Sequence, residues 1–203
     1  MPYAWEIDLR SPYHAKDPEV LDYPDDWFED TERHGRVWGG NRIFRGAPLD
    51  PSEVPHRFKT ATRADRLPDM FDIPTGYMVS AVLRDKIEEL EPGVHRFFDT
   101  EITCKGGEKP AKRYWLFQIC NLVDAIDEEK SVRFVSENGF KNYKRYGLGP
   151  GAEPKLVFRK EAIAGMCVWM DERFADFFMS DELVEFIRKN RLTRLETWEV
   201  FAD

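Results

Sequence analysis

The sequence predicts an α+β fold with a mainly antiparallel sheet. Two similar strand-helix-strand units pack on that sheet, together with an irregular N-terminal region rich in proline and aromatics. Three observations carry this expectation. A short phrase recurs 100 residues apart, as Met78-Val79-Ser80-x-x-Leu83-x-x-x-Ile87 and Phe178-Met179-Ser180-x-x-Leu183-x-x-x-Ile187. Strand-like runs outnumber helical ones, and several are joined by hairpin-sized connections, which suits antiparallel pairing better than a doubly wound sheet. Nine of the 13 prolines fall in the first 74 residues, so regular elements begin only after them.

The N-terminal stretch interleaves its prolines with Tyr3, Trp5, Tyr13, Tyr23, Trp27, Phe28, Trp38 and Phe44. So many large apolar side chains are unsuited to a solvated tail, and the expectation is an irregular region, residues 1–70, packed on a main domain of residues 71–203. Each copy of the repeated phrase is an apolar strand end, a serine and a helix. The serine oxygen is suited to accept a bond from an unpaired N–H of the first turn. The first helix places Leu83, Ile87 and Leu90 on one stripe, with Arg84, Asp85, Lys86, Glu88 and Glu89 elsewhere, and Pro92-Gly93 ends it. The second has Asp181 and Glu182 at the positive end of its dipole and Arg188 and Lys189 at the negative end, and stops near Asn190. A strand is expected after each helix, over Val94–Thr103 and Arg194–Phe201. Lys105-Gly106-Gly107-Glu108 then turns the first of these into a hairpin with Arg113–Asn121. Further strands are expected at Val132–Val135, Lys155–Arg159 and Met166–Met170, with a glycine loop at Gly147–Gly151.

Composition excludes several classes. A net charge of −8 and a pI near 5.2 oppose a general phosphate-binding surface, so direct nucleic-acid binding is not expected. At 203 residues and 42% hydrophobic content the chain can build its own core without metal or disulfide support. The cysteines, Cys104, Cys120 and Cys167, are odd in number, widely spaced and set in apolar runs, which reads as reduced core thiols. No stretch has the form of a signal peptide or the length of a membrane span, so a cytoplasmic location away from membranes is expected.

Catalytic motifs are not found. His14, His34, His56 and His95 show no i, i+4 histidine pair, and Gly35–Arg42 lacks the lysine and hydroxyl of a phosphate loop, reading instead as a tight turn. The cysteines sit in no nucleophile motif, and no serine elbow is present. Neither a catalytic residue, a metal ligand nor a cofactor is therefore assigned. Two segments suit partner binding. One is acidic and aromatic, Asp22–Glu32, from which Asp25, Asp26, Trp27, Glu29 and Asp30 are the candidate contacts. The alternative for this segment is a solvated acidic turn with Trp27 and Phe28 in the core. The other, Lys141–Tyr146, alternates basic residues with tyrosines, and a surface segment with half-buried tyrosines is its simpler reading.

Three blocks occur in order: Ser80-x-x-Leu83-x-x-x-Ile87-x-x-Leu90-x-Pro92-Gly93, then Asn121-Leu122-Val123-Asp124-Ala125-Ile126-Asp127-x-x-Lys130-Ser131, then Ser180-Asp181-Glu182-Leu183 with its following strand. Together they resemble the immunity protein 11 family of bacterial polymorphic toxin loci. The resemblance spans about residues 70 to 203. It implies a non-enzymatic protein whose partner is a cognate toxin domain, blocked by occlusion of its active or essential surface. Two other readings stay open: a small hydrolase or nuclease with an unrecognised carboxylate site, and a self-associating structural protein. A homodimer is compatible with either the family role or the last of these.

Overall fold

A computed structural model describes residues 3–7, 15–24, 27, 43, 46, 48–131, 133–135, 141–143, 156–172, 174–192, 195–199 and 201–202. The strands in chain order are β1 (Tyr3–Ile7), β2 (Glu19–Val20), β3 (Arg57–Lys59), β4 (Met70–Ile73) and β5 (Gly76–Ser80). Helix α1 (Ala81–Leu90) follows, then β6 (Arg96–Asp99), β7 (Glu101–Thr103), β8 (Tyr114–Gln118), β9 (Leu122–Val123), β10 (Arg133–Val135), β11 (Lys141–Tyr143), β12 (Val157–Phe158), β13 (Val168–Asp171) and β14 (Phe174–Met179). Helix α2 (Asp181–Lys189), β15 (Leu195–Glu199) and β16 (Phe201–Ala202) complete the described elements.

Two sheets form the frame. One has the order β4-β5-β8-β6 and is antiparallel throughout. The other has the order β15-β1-β14-β13-β9, antiparallel except where β9 joins β13 in parallel. A three-stranded sheet β2-β3-β7 and the pairs β10-β11 and β12-β16 are smaller. The fold is α+β with mostly antiparallel pairing, as the hairpin-sized connections predict.

The repeated phrase marks a repeated topology. In each large sheet a hairpin (β4-β5 or β13-β14) leads into a helix and then a strand (β6 or β15). A third strand, β8 or β1, lies between the strand before the helix and the strand after it. The registers coincide: Met70 faces Val79 as Val168 faces Met179, and the capping serine N–H donates to Asp69 O at 2.8 Å and to Cys167 O at 2.9 Å. The strand inserted in the second sheet, β1, comes from the N-terminal region. Residues 3–7 are thus an inner strand of a large sheet.

Alternation along the strands builds three cores. Met70, Val79, Trp115 and Phe117 from one sheet meet Val168, Met170, Phe177 and Met179 from the other, under Leu83 and Ile87 of α1 and Leu183, Val184 and Ile187 of α2. The opposite face of the first sheet, including Phe71, Met78 and Leu116, is covered by Trp27, Ile43, Val54 and Phe58. Gly76 is required there. Its φ is +149°, and a Cβ would come within 2.9 Å of Ile43 Cγ2. The opposite face of the second sheet packs Trp169 and Phe178 on Ala125, Ile126, Leu156 and Phe158.

Local expectations fare differently. Helix α1 ends at Leu90 and α2 has Asn190 as its C-cap, as the Pro-Gly and basic-Asn endings predict. The capping expectation holds for Ser180, whose Oγ accepts from Leu183 N–H at 3.4 Å. It fails for Ser80, which occupies the N-cap position with extended backbone while its buried Oγ has no hydrogen-bond partner among the described residues. The single strand expected over Val94–Thr103 is broken at Thr100. There β6 stays paired with β8, whereas Glu101 N–H donates to His56 O and β7 joins β3 in another sheet. Gly106 and Gly107 do adopt positive φ, 80° and 83°, but the turn they make follows β7, so the β6-β8 pair is closed by a long excursion instead of a tight hairpin turn. The loops Gly35–Arg42 and Gly147–Gly151 lie outside the described residues.

Candidate functional site

Among the described residues, a cluster of histidine, cysteine and carboxylate side chains gathers where the two repeated units meet. Glu91 is the C-cap of α1, its N–H donating to Ile87 O at 2.8 Å. The turn through Pro92 and Gly93, with Gly93 at φ 72°, brings His95 back onto the Glu91 carboxylate at 3.2 Å. The same carboxylate oxygen accepts the backbone N–H groups of Cys167 at 2.6 Å and Val168 at 3.1 Å, at the start of β13. Its other oxygen accepts Asn121 Nδ2 at 2.7 Å, and that amide also donates to Val168 O. Glu91 is 7% exposed and His95 2%.

A buried carboxylate survives ionised only if its lone pairs are filled. Burial raises the Glu91 pKa, but bonds from His95, from the thiol and backbone of Cys167 and from Asn121 outweigh it and hold the group at about 2. The Cys167 thiol is driven the other way, by burial first and then by the adjacent Glu91. A protonated, buried thiol donating to a carboxylate is a poor nucleophile. Thiol and imidazole are each hydrogen-bonded to the Glu91 carboxylate, which is not the arrangement of a cysteine-histidine nucleophile pair.

The ligand atoms of Glu91, His95 and Cys167 lie within 4.8 Å of one another, which raises the question of a metal. The donor set does not fit one. Cys120 N–H donates to His95 Nδ1 at 3.2 Å, so Nδ1 carries the lone pair and Nε2 the proton that faces Glu91. A histidine ligating through Nε2 needs the opposite tautomer, with Nδ1 donating to an acceptor. The cluster is a polar clasp: α1, the segment after β8 and the start of β13 are tied to one carboxylate. Neither the spacing of the histidines nor that of the cysteines revealed it. The i, i+4 relation of Glu91 and His95 was the one local signal, and Asn121 and Cys167 join only through the tertiary fold.

A second buried carboxylate works similarly. Asp171, at a bulge ending β13, accepts Ala125 N–H and Ile126 N–H at 2.8 Å each, fixing the central block of the sequence against the second sheet.

Among the five candidate contact residues, Trp27 is described. It is 4% exposed, its ring lies 6.3 Å from that of Tyr23, and it belongs to the core that covers the first sheet. Asp25, Asp26, Glu29 and Asp30 lie outside the described residues. Asp22, which precedes them, accepts the N–H groups of His56 and Arg57 and so anchors the segment to β3. Lys141–Tyr143 form β11, paired with β10, and residues 144–146 lie outside the described residues. The three cysteines are free thiols, with Cys104 and Cys167 buried. No helix among the described residues is long and apolar enough to cross a membrane.

The chain matches the Immunity protein family (Imm11) over residues 5–201. It belongs to that family. The match takes in β1 and the N-terminal region as well as the three blocks that carry the resemblance in the sequence, in keeping with a second sheet that is built around β1. A comparison with curated proteins finds no match. Immunity-family membership gives the protein an immunity role and, in general terms, a toxin protein as partner.

Proposed function

We propose that this protein binds a cognate bacterial toxin domain and neutralises it by occluding its active or essential surface, without turnover or cofactor, in the cytoplasm. The observation that carries the reading is the family match across residues 5–201. The buried cluster supports it from the chemical side, because its most reactive groups are committed to one another inside the protein. Net charge supports it from the physical side. A toxin that acts on nucleic acid presents a basic face, and an inhibitor at −8 gains association rate from complementary charge, up to about 10⁸ to 10⁹ M⁻¹s⁻¹ at low salt. In this reading Asp25, Asp26, Glu29 and Asp30 supply charge at the contact, while Trp27, being buried, anchors their segment to the core.

Co-expression with the toxin encoded beside it tests the proposal. Cells carrying the toxin should survive only when this protein is present. Equal killing with and without it overturns the reading.

A further inference from the structure

His56 stands where the layer covering the first sheet meets the break at Thr100. It lies between the 3-10 turn Pro51–Glu53 and the start of β3. Its backbone is fixed on both sides: the N–H donates to the Asp22 carboxylate at 3.2 Å, and the carbonyl accepts Glu101 N–H at 2.8 Å. The ring is held twice more. Nδ1 lies 2.9 Å from Asp99 O, at the end of β6, and Nε2 lies 2.7 Å from Pro51 O, at the start of the turn.

Both ring partners are peptide carbonyls, whose oxygens accept and never donate. A neutral imidazole carries one N–H and one lone pair, so it bonds one of these carbonyls and sets a lone pair against the other. The imidazolium donates to both, at ordinary N–H···O lengths. The residue is half-buried, so water reaches it and a proton can enter or leave. Asp22, Asp99 and Glu101 line the same polar cleft of about 490 Å³, with Arg57 and Arg113. Arg113 is engaged with Asp99 at 2.6 Å. The turn adds Asp50 and Glu53, whose carboxylates accept from Ser52 and from the Asp50 N–H. Among the described residues around the ring, carboxylates outnumber guanidinium groups and offset the charge that a second ring proton brings.

We propose that His56 is a proton-operated clamp. With both nitrogens protonated, the ring bridges Pro51 O and Asp99 O and fastens the turn, together with Val54 of the covering core, to the end of β6. Loss of one proton frees one carbonyl and loosens that join, while the backbone bonds of His56 remain. Histidine changes charge between about pH 5 and 8, and the clamp operates across that interval.

The full chain is measured by NMR at about pH 5 and about pH 8, the ends of the interval. At the lower pH both ring N–H protons of His56 should be visible, because carbonyl partners slow their exchange with water, and at the higher pH no more than one should remain. Amide protection at Glu101, whose N–H donates to His56 O, should fall about fivefold from the lower pH to the higher after correction for the intrinsic rate, the scale of one lost hydrogen bond. In His56→Gln, which has a side-chain donor but gains no proton in this interval, that fall should vanish. The β13-β14 pair of the other sheet is the control, and its protection should be alike in both proteins. If His56→Gln does not fold, the wild-type ring spectrum decides by itself. A ring without two protected N–H protons at the lower pH, or equal pH dependence at Glu101 in wild type and variant, overturns the clamp.

Discussion

The unit around α1 and the unit around α2 share strand order, register and a serine at the helix start, yet they are finished differently. At α1 the first N–H, that of Ala81, donates to Arg113 O from the segment before β8, and the helix opens with no acidic residue in its first turn and no side-chain cap bond. At α2 the cap bond is made, and Asp181 and Glu182 complement the dipole. The same frame is therefore compatible with two different helix starts.

The comparison breaks most severely at the clasp that joins the units. Glu91→Gln keeps the size of the side chain but replaces an all-acceptor group with one that donates toward Cys167 and Asn121. It should cost on the order of 3 kcal/mol in chemical denaturation, the scale for uncoupling a buried, hydrogen-bonded charge. The same carboxylate sets an acid dependence. Its folded value of about 2 lies below the usual 4.5, so its contribution is fully present above that ordinary value and is lost as pH falls toward 2. Glu91→Gln should flatten the stability profile in that window, and an unchanged profile would remove Glu91 from the account.

Asp171→Ala should come next, at about 2 to 3 kcal/mol, because two backbone N–H groups lose a charged acceptor in a buried position. The corresponding position in the first unit is the apolar Ile73, so the loss is confined to the second unit. Amide exchange should accelerate at Ala125 and Ile126 while the β4-β5-β8-β6 sheet keeps its protection. Uniform acceleration would show that the halves unfold as one and sink the idea of separable units.

Lys112→Met removes the ion pair that ties the segment before β8 to Asp69. Lys112 is half-exposed, so about 1 kcal/mol is expected, measured by thermal unfolding and diminished at high salt. The smallest effects sharpen the comparison most. Ser180→Ala should cost about 0.5 to 1 kcal/mol through its cap, whereas Ser80→Ala should be neutral or slightly stabilising, since it removes a buried hydroxyl that makes no bond among the described residues. Equal costs at the two serines would show that the local sequence, and not the tertiary surroundings, governs both helix starts.

Helix extents were legible because their signals are local. The Leu83-Ile87 and Leu183-Ile187 stripes, the Pro92-Gly93 stop and the Asn190 ending each act within one or two turns. The strands β6, β8, β10, β12, β13 and β15 were legible from their apolar and β-branched runs, whereas β1, β2 and β3 lie in the region expected to be irregular, and the break at Thr100 was not marked. Nothing in Arg96–Thr103 marks the residue where pairing passes from β8 to β3; His56 does, from 45 residues earlier. Of the candidate site, Trp27 was marked by its aromatic character, but its burial depends on Ile43, Val54 and Phe58 closing over the first sheet.

What the sequence by itself determined is the repeat, the α+β class, the free thiols and the family blocks, all of which follow from short-range pattern and composition. Only the tertiary structure decided that β1 enters the second sheet, that His95, Asn121 and Cys167 converge on the Glu91 carboxylate, and that Leu90, Ile163 and Trp169 from separate elements wall one cleft beside α2. The physical reason is common to all three. Sheet order, buried hydrogen-bond networks and cavities are set by groups far apart in the chain, and a one-dimensional pattern records the capacity of each group to bond but not the partner it meets.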